Sequence, residues 1–214
     1  MNTRIFNLII LDESGSMYSI KQEAINNVNE TLQTIRSSQD KHKEQDYYVS
    51  FITFNDEVKT IHDCVSAKEM KDISDRDYNP SCSTALYDAM GMSITALQNK
   101  VAPQDKVLVT VITDGYENAS KEYSGKAVKA LVEEMKSEGW VFAYIGANHD
   151  VEAVASTISI SNVMKFKATH KGTLDMTKIL SRARMKLYDS MSKPDFCDKD
   201  ANENFLKKTK DIIR

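Results

Sequence analysis

The stretch Ile5–Ser16, IFNLIILDESGS, joins a nearly continuous apolar run to a short group of polar residues. The run Ile5–Leu11 is typical of a β-strand that is covered on both faces, as in a parallel sheet flanked by helices. Asp12 ends the run, so the polar residues follow the strand directly. In open parallel sheets, ligands bind at the carboxyl ends of the strands. The stretch therefore predicts an α/β fold with a functional site just after its first strand.

Short apolar runs alternate with amphipathic helical patterns along the rest of the chain. Lys106–Thr113 (KVLVTVIT) is the strongest strand pattern, and Glu57–His62 is typical of a short antiparallel edge strand. Helical stripes include a weak one at Ala67–Ile73 and a long one at Leu174–Met191. The order β-α-β-β-α-β-α-β-α-β-α predicts a doubly wound, mostly parallel six-stranded sheet. One edge strand is antiparallel and helices cover both faces, which makes the fold Rossmann-like.

Length and composition favour one domain. The chain has 214 residues with ordinary apolar and charged fractions, enough for one large α/β core. It contains only 7 Gly and 3 Pro, and no linker or repeat divides it. We expect a domain over residues 1–191. Residues 192–214 are polar and form either a loose tail or a short helix over Phe205, Leu206, Ile212 and Ile213.

Charge and cysteine content argue against several partner classes. The net charge of −3 gives no reason to expect nucleic acid, and no apolar run approaches the ~18 residues of a membrane span. The apolar run at the start ends at Asp12, too early for a signal peptide. Cys64, Cys82 and Cys197 are widely spaced, which favours reduced thiols over disulfides or structural zinc. We therefore expect a cytoplasmic protein without a membrane or nucleic-acid partner.

Three polar segments follow predicted strands or loops. They are DESGS after the first strand, the threonine that begins a helix after an Asn-Pro loop, and TDG after the strongest strand. If the first and fourth strands are neighbours, these segments meet at one crevice. Two carboxylates and three hydroxyls then converge, and such oxygen ligands suit Mg²⁺, Mn²⁺ or Ca²⁺. The candidate ligands are Asp12, Ser14, Ser16, Thr84 and Asp114.

These segments resemble a known family. DESGS resembles the DxSxS signature of the metal-ion-dependent adhesion site (MIDAS) of von Willebrand factor A (VWA) domains; PSCSTALYDAM and VTVITDGYEN resemble the family's threonine loop and second aspartate strand. The resemblance covers roughly residues 4–191. It implies that Ser14, Ser16 and Thr84 contact the metal, Mg²⁺ above all, and that Asp12 and Asp114 act directly or through water. The family often has glycines just before the threonine, where this chain has Ser81-Cys82-Ser83.

The resemblance implies a binding module. An Asp or Glu of a protein partner would complete the coordination shell of the metal. The chain would serve as an accessory subunit of an intracellular assembly, possible examples being assemblies driven by AAA+ ATPases. Four residues near the ligands are candidates for the partner-binding rim: Met17, Tyr116, Glu117 and His149.

The alternative is a metal-dependent phosphoryl-transfer hydrolase that uses Asp12 as nucleophile. Aspartate-nucleophile phosphatases place a second aspartate two residues on, where this chain has Ser14. The sequence also lacks a Walker-type phosphate loop and a Ser/His/Asp set near the motif. We therefore expect no enzymatic activity and assign no catalytic residue.

Overall fold

A computed structural model describes residues 2–191, 193 and 195–206. Its strands are β1 Thr3–Asp12, β2 Gln45–Phe54, β3 Val58–Ser66, β4 Lys106–Thr113, β5 Val141–Gly146 and β6 Asn162–Lys165. Its helices are α1 Lys21–Lys41, α2 Leu86–Gln98, α3 Gly125–Ser137, α4 Val151–Thr157, α5 His170–Met191 and α6 Asp198–Asn204. A 3₁₀ helix at Gly15–Ile20 links β1 to α1.

The strands form one six-stranded sheet in the order β3-β2-β1-β4-β5-β6. All neighbouring pairs are parallel except β2 and β3, so the prediction of one antiparallel edge strand is confirmed. β1 lies at the centre, and the direction of winding reverses between β1 and β4. Their parallel pairing runs to Leu11 opposite Ile112. The segments that follow these two strands therefore lie side by side, at the point where such folds bind ligands.

Helices on both faces explain why the first strand carries apolar side chains on both of its sides. Successive side chains of a strand point to opposite faces. Ile5 and Ile9 accordingly lie in the core beneath α1 and α5, whereas Leu8 and Ile10 lie in the core beneath α2, α3 and α4. Both sets are almost fully buried, so β1 has no solvent-facing side and does not show the alternation of polar and apolar residues that is typical of a half-exposed strand.

A buried polar group interrupts the core between the sheet and α5. Arg184 is fully buried, and its Nη2 donates to Thr110 Oγ1 at 2.6 Å while Nη1 donates to Asn7 Oδ1 at 3.1 Å. Tyr188, one turn further along α5, donates to the same Asn7 oxygen. Arg184 thus fixes α5 to the middle of both β1 and β4.

The segment after α5 packs into the domain core. In α6, Asn202 Nδ2 donates to the Trp140 carbonyl at 2.7 Å, and Asn202 Oδ1 accepts from the Phe142 amide at 3.2 Å. Phe205 and Leu206 are buried in the same core as α1 and α5. The structure has a short helix here, but it ends at Asn204, before the residues over which a helix was expected, and the domain boundary at residue 191 stays a prediction. Ile212 and Ile213 lie outside the described residues.

Two local expectations need adjustment. The helix predicted at Ala67–Ile73 is wrong: the segment forms turns, and its spacing of apolar residues serves to bury Ala67, Met70 and Ile73 beside the sheet. β3 continues to Ser66, four residues beyond the predicted end at His62. Among the described residues, no helix is long and apolar enough to cross a membrane.

Candidate metal site

The central element of the site is Asp12, the last residue of β1. Its side chain is fully buried. Asp12 Oδ1 accepts a hydrogen bond from the Ser14 amide at 2.7 Å, and Asp12 Oδ2 accepts one from Thr113 Oγ1 at 2.5 Å. Thr113 is the last residue of the neighbouring strand β4. Asp12 therefore joins the ends of the two strands and orients the loop that carries Ser14.

The two serines connect this loop to the second carboxylate. Ser14 Oγ lies 3.2 Å from Ser16 Oγ, and Ser16 Oγ donates to Asp114 Oδ1 at 2.5 Å. The other carboxylate oxygen, Asp114 Oδ2, is buried and accepts no hydrogen bond of ordinary length from the described residues, although the Asn148 side chain lies close enough to lower the pKa of Asp114. A buried carboxylate oxygen without a donor is costly, because water no longer solvates it.

Thr84 reaches the same place from the loop before α2. The Thr84 amide donates to Asn118 Oδ1 at 2.9 Å, and the Asn118 amide donates to the Thr84 carbonyl at 3.0 Å. A β-carbon built on Gly115 would lie 3.6 Å from Thr84 Oγ1 and 3.9 Å from Ser16 Oγ. The hydroxyls of Thr84 and Ser16 therefore face the same side of Gly115, and the five predicted ligand residues converge.

The loop before Thr84 is fastened to the DESGS segment by main-chain hydrogen bonds. The Gly15 amide donates to the Cys82 carbonyl at 3.1 Å, and the Ser81 amide donates to the Glu13 carbonyl at 2.8 Å. Cys82 adopts a left-handed backbone conformation, with φ of +62°. This conformation favours glycine, since a β-carbon crowds the backbone there.

Several supporting residues were not identified from the sequence. Glu13 is buried, accepts a hydrogen bond from the Asn79 amide and lies 3.5 Å from Lys59 Nζ. Tyr78 donates its hydroxyl to the Asp12 carbonyl at 2.7 Å. These contacts join segments more than 40 residues apart. Only the place of Glu13 inside the motif gave a sequence signal for any of them.

Comparison with known proteins identifies the family of the chain. The family model for the von Willebrand factor type A domain matches residues 8–180. The chain belongs to the von Willebrand factor type A (VWA) domain family. No curated protein sequence gives a significant match. Domains of this family are generally adhesion or interaction modules, and the family implies a MIDAS without showing one in this chain.

Solved VWA structures resemble the chain in fold at low sequence identity. The PilB minor pilin from Streptococcus sanguinis has a TM-score of 0.63 and 11% identity, over 91% of this chain and 64% of PilB. The vWF domain of the type V pili tip protein Mfa5 from Porphyromonas gingivalis has a TM-score of 0.62 and 8% identity, over 92% of this chain and 99% of that one. The chain thus spans about two thirds of PilB and nearly the whole Mfa5 domain.

A third similar structure carries a metal. The proximal thread matrix protein 1 from the mussel byssus, with zinc in its MIDAS motif, has a TM-score of 0.56 and 14% identity. The match covers 86% of this chain and 46% of the mussel protein. At such identities the likeness shows only the shared fold. The assignment of metal ligands in this VWA domain therefore depends on the positions of its own side chains.

Burial disfavours the ionised form of the two carboxylates of the VWA site. Burial raises the pKa of Asp12 to about 6, although hydrogen bonds from Thr113 and Ser14 oppose the shift and the charge of Asp114 adds to it. Burial also raises the pKa of Asp114, against the hydrogen bond from Ser16. Two acidic groups held close together away from water favour a neutralising positive charge between them.

The donor set fits a hard divalent cation. It consists of two carboxylates and three hydroxyls, with a free lone-pair site on Asp114 Oδ2. No group of three or more His, Cys, Asp or Glu side chains suited to a metal occurs within the described part of the chain. None of the five candidate ligands is a thiolate or an imidazole, the ligand types that favour zinc or copper.

The predicted rim is largely corrected by burial. Met17 is wrong as a rim residue, because its side chain is only 1% exposed and packs in the core beneath α1. Glu117 is wrong as well, since its carboxylate faces inward and accepts hydrogen bonds from the amides of Tyr87, Ala119 and Ser120. These contacts close the loop after β4 and leave its acidic group unavailable to a partner.

Of the other two predicted rim residues, His149 is buried and Tyr116 is exposed. The His149 Nδ1 lies 2.6 Å from the Ala147 carbonyl, so Nδ1 carries the proton and Nε2 accepts from the Tyr144 hydroxyl at 3.3 Å. Gly146 makes room for the ring, since a β-carbon there would lie 2.7 Å from His149 Cε1. Tyr116 covers His149 and is 55% exposed. Of the four predicted rim residues, Tyr116 alone presents a large exposed side chain.

Proposed function

We propose that this VWA domain binds one divalent cation through Asp12, Ser14, Ser16, Thr84 and Asp114, and uses it to bind an Asp or Glu of a protein partner. The observation that supports the proposal best is Asp114 Oδ2, a buried carboxylate oxygen without a donor beside two serine hydroxyls. A cation would coordinate this oxygen and, by favouring the ionised carboxylates, lower the raised pKa values of both aspartates.

The ligand charges suit a partner carboxylate. The hydroxyls are neutral, so the two aspartates at most balance the cation, which keeps an attraction for a further anionic ligand. Mg²⁺ is the proposed ion, with Mn²⁺ and Ca²⁺ as alternatives, because each prefers oxygen ligands. When bound, the cation would act as a Lewis acid that accepts the partner's carboxylate as a ligand, while the five protein residues would hold the cation in place.

We also propose that the domain acts as a component of a larger intracellular assembly. The support for a role in an assembly is at family level: VWA domains serve in interaction and adhesion, and the similar structures include a minor pilin and a pili tip protein. The intracellular setting rests on the sequence alone. A link to an AAA+ ATPase assembly and a cytoplasmic location remain predictions from the sequence.

The hydrolase alternative has less support. Asp12 is fully buried, and each of its oxygens already accepts a hydrogen bond from the protein. An attacking carboxylate needs an oxygen that can approach phosphorus in line. We therefore propose a binding function without catalysis.

The first test is calorimetric titration of the chelator-treated protein with Mg²⁺, Mn²⁺ and Ca²⁺. We expect saturable binding in the wild type and at least about 100-fold weaker binding in Asp114→Asn, which loses a negative charge beside the cation, and in Ser14→Ala/Ser16→Ala, which loses two hydroxyl ligands. Ser19→Ala/Ser83→Ala removes two exposed serines beside the site and serves as the matched control. Equal binding in all four proteins would place the cation elsewhere and remove the proposed site.

The partner step is tested with a minimal pair of peptides. With Mg²⁺ present, we expect Ac-Gly-Asp-Gly-NH₂ to shift NMR signals of residues around the site at millimolar concentration. The isosteric Ac-Gly-Asn-Gly-NH₂ should cause no such shifts, since it lacks the charge that the cation attracts. Equal shifts with both peptides, or shifts that persist with chelator, would contradict recognition of a carboxylate.

A further inference from the structure

We infer that Tyr116 is the aromatic anchor of the partner surface, and that it selects partners with an apolar side chain next to the carboxylate that the cation binds. This inference rests on the proposed function and deepens it. It assigns the recognition of the partner's neighbouring residues to one ring whose position the fold determines.

Tyr116 lies at the edge of the site. It follows Gly115, whose open side is lined by the hydroxyls of Ser16 and Thr84. Its ring stacks at a tilt over His149, with the ring centroids 5.3 Å apart. Its hydroxyl accepts a hydrogen bond from the Asp150 amide at 3.0 Å. The side chain therefore bridges the loops after β4 and β5, is held at both ends, and still leaves 55% of its surface exposed.

An exposed ring that is already held in place loses little conformational entropy when a partner binds. Ordering a flexible side chain at an interface costs conformational entropy, and Tyr116 is already ordered in the unbound protein. Tyrosine residues of this kind are enriched among the residues that dominate binding at protein interfaces. Tyr18, on the 3₁₀ helix that follows Ser16, gives the contrast. It is 70% exposed, and no described residue hydrogen-bonds to its hydroxyl.

Electrostatics select the chemistry of the partner's neighbouring residue. A lysine or arginine beside the liganding carboxylate would approach the bound cation and be repelled by it. A second acidic residue over the ring would approach the exposed Asp150. A neutral apolar side chain meets neither penalty and gains contact with the aromatic face. The occupant of this surface is therefore an acidic residue flanked by leucine or phenylalanine.

The test compares the Mg²⁺-loaded domain with peptides Ac-Gly-X-Asp-X-Gly-NH₂ in which X is Gly, Leu, Phe, Lys or Glu. We expect the Leu and Phe peptides to bind about five- to tenfold more tightly than the Gly peptide, and the Lys and Glu peptides no more tightly than Gly. Equal affinity for Gly, Leu and Phe, or a preference for Lys or Glu, would overturn the inference. If none of the five peptides binds, the Gly peptide included, the proposed function itself is contradicted.

Variants assign the preference to the ring. Tyr116→Ala should lose the preference for the Leu and Phe peptides over the Gly peptide, whereas Tyr18→Ala should keep it. Tyr116→Phe keeps the ring but loses the hydrogen bond to Asp150, so we expect an intermediate preference. Mg²⁺ affinity and melting temperature serve as readouts of site and fold. A preference that survives in Tyr116→Ala, with both readouts unchanged, would overturn the assignment.

Discussion

The domain buries charge at two places along β1 and β4, with opposite outcomes. In the middle of the strands, Arg184 donates to Asn7 and Thr110, and only its Nε lacks an acceptor among the described residues. At the strand ends, Asp12 and Asp114 lie close together with raised pKa values, and Asp114 Oδ2 lacks a donor.

The difference separates a structural polar cluster from a candidate binding site. The Arg184 cluster joins α5 to two strands and is enclosed on all sides, so its hydrogen bonds stabilise the fold. The carboxylate pair has its own supports but keeps an unsatisfied oxygen at the ligand-binding edge, so in the absence of a cation it lowers stability. A buried carboxylate oxygen left without a hydrogen bond at the ligand-binding edge is a better indicator of a binding site than a guanidinium whose other nitrogens are hydrogen-bonded inside the core.

The largest effect is expected from Arg184→Ala. The change empties a large buried volume and removes donors from Thr110 and Asn7, so we expect the free energy of unfolding to fall by about 3–5 kcal/mol. Urea denaturation measures this loss. Arg182→Ala, on the exposed face of the same helix, should change stability by less than about 0.5 kcal/mol. A loss below about 1 kcal/mol for Arg184→Ala would show that the cluster is not structural.

A smaller effect of opposite sign is expected from Asp12→Asn in chelator. The folded-state pKa of Asp12 is about 6 against an ordinary 3.8, so ionisation favours the unfolded chain. Below pH ~4 the group is protonated in both states and the penalty vanishes. As pH rises from about 4 to about 6, the wild type loses on the order of 3 kcal/mol that Asp12→Asn retains.

Denaturation of both proteins from pH 4 to 8 measures this difference. The wild-type deficit should appear between pH 4 and 6, stay constant above that range, and disappear on addition of saturating Mg²⁺. A wild type that is more stable than Asp12→Asn at pH 7 in chelator would mean that hydrogen bonds from Thr113 and Ser14 outweigh burial.

The smallest effect is expected from Cys82→Gly. Cys82 has φ of +62°, where glycine avoids a clash of about 1 kcal/mol but loses more entropy on folding. We expect a net gain of about 0.5 kcal/mol in thermal melts. Ser83→Gly, at a neighbouring position without positive φ, should instead lower stability by a similar amount. Equal effects of the two changes would show that the loop does not constrain residue 82.

The sequence placed the five candidate ligands at one edge of the sheet because strong strand patterns end at Asp12 and just before Asp114; metal binding by these residues stays a prediction. Lys106–Thr113 is observed as a strand with its predicted bounds, and the order of elements places its end beside that of β1. The rim was predicted poorly because Met17 and Glu117 lie next to ligands in the chain yet point inward. Proximity in sequence does not determine which way a loop side chain faces.

What the sequence determined by itself was the sheet, its winding and the oxygen atoms at its edge, because hydrophobic periodicity and chain order constrain all three. Tertiary structure alone decided the rest: that Thr113 supports Asp12, that Tyr116 covers His149, and that Arg184 reaches across from α5 to β1 and β4. Those contacts join residues distant along the chain, and their strength depends on burial and direction, which no local pattern encodes.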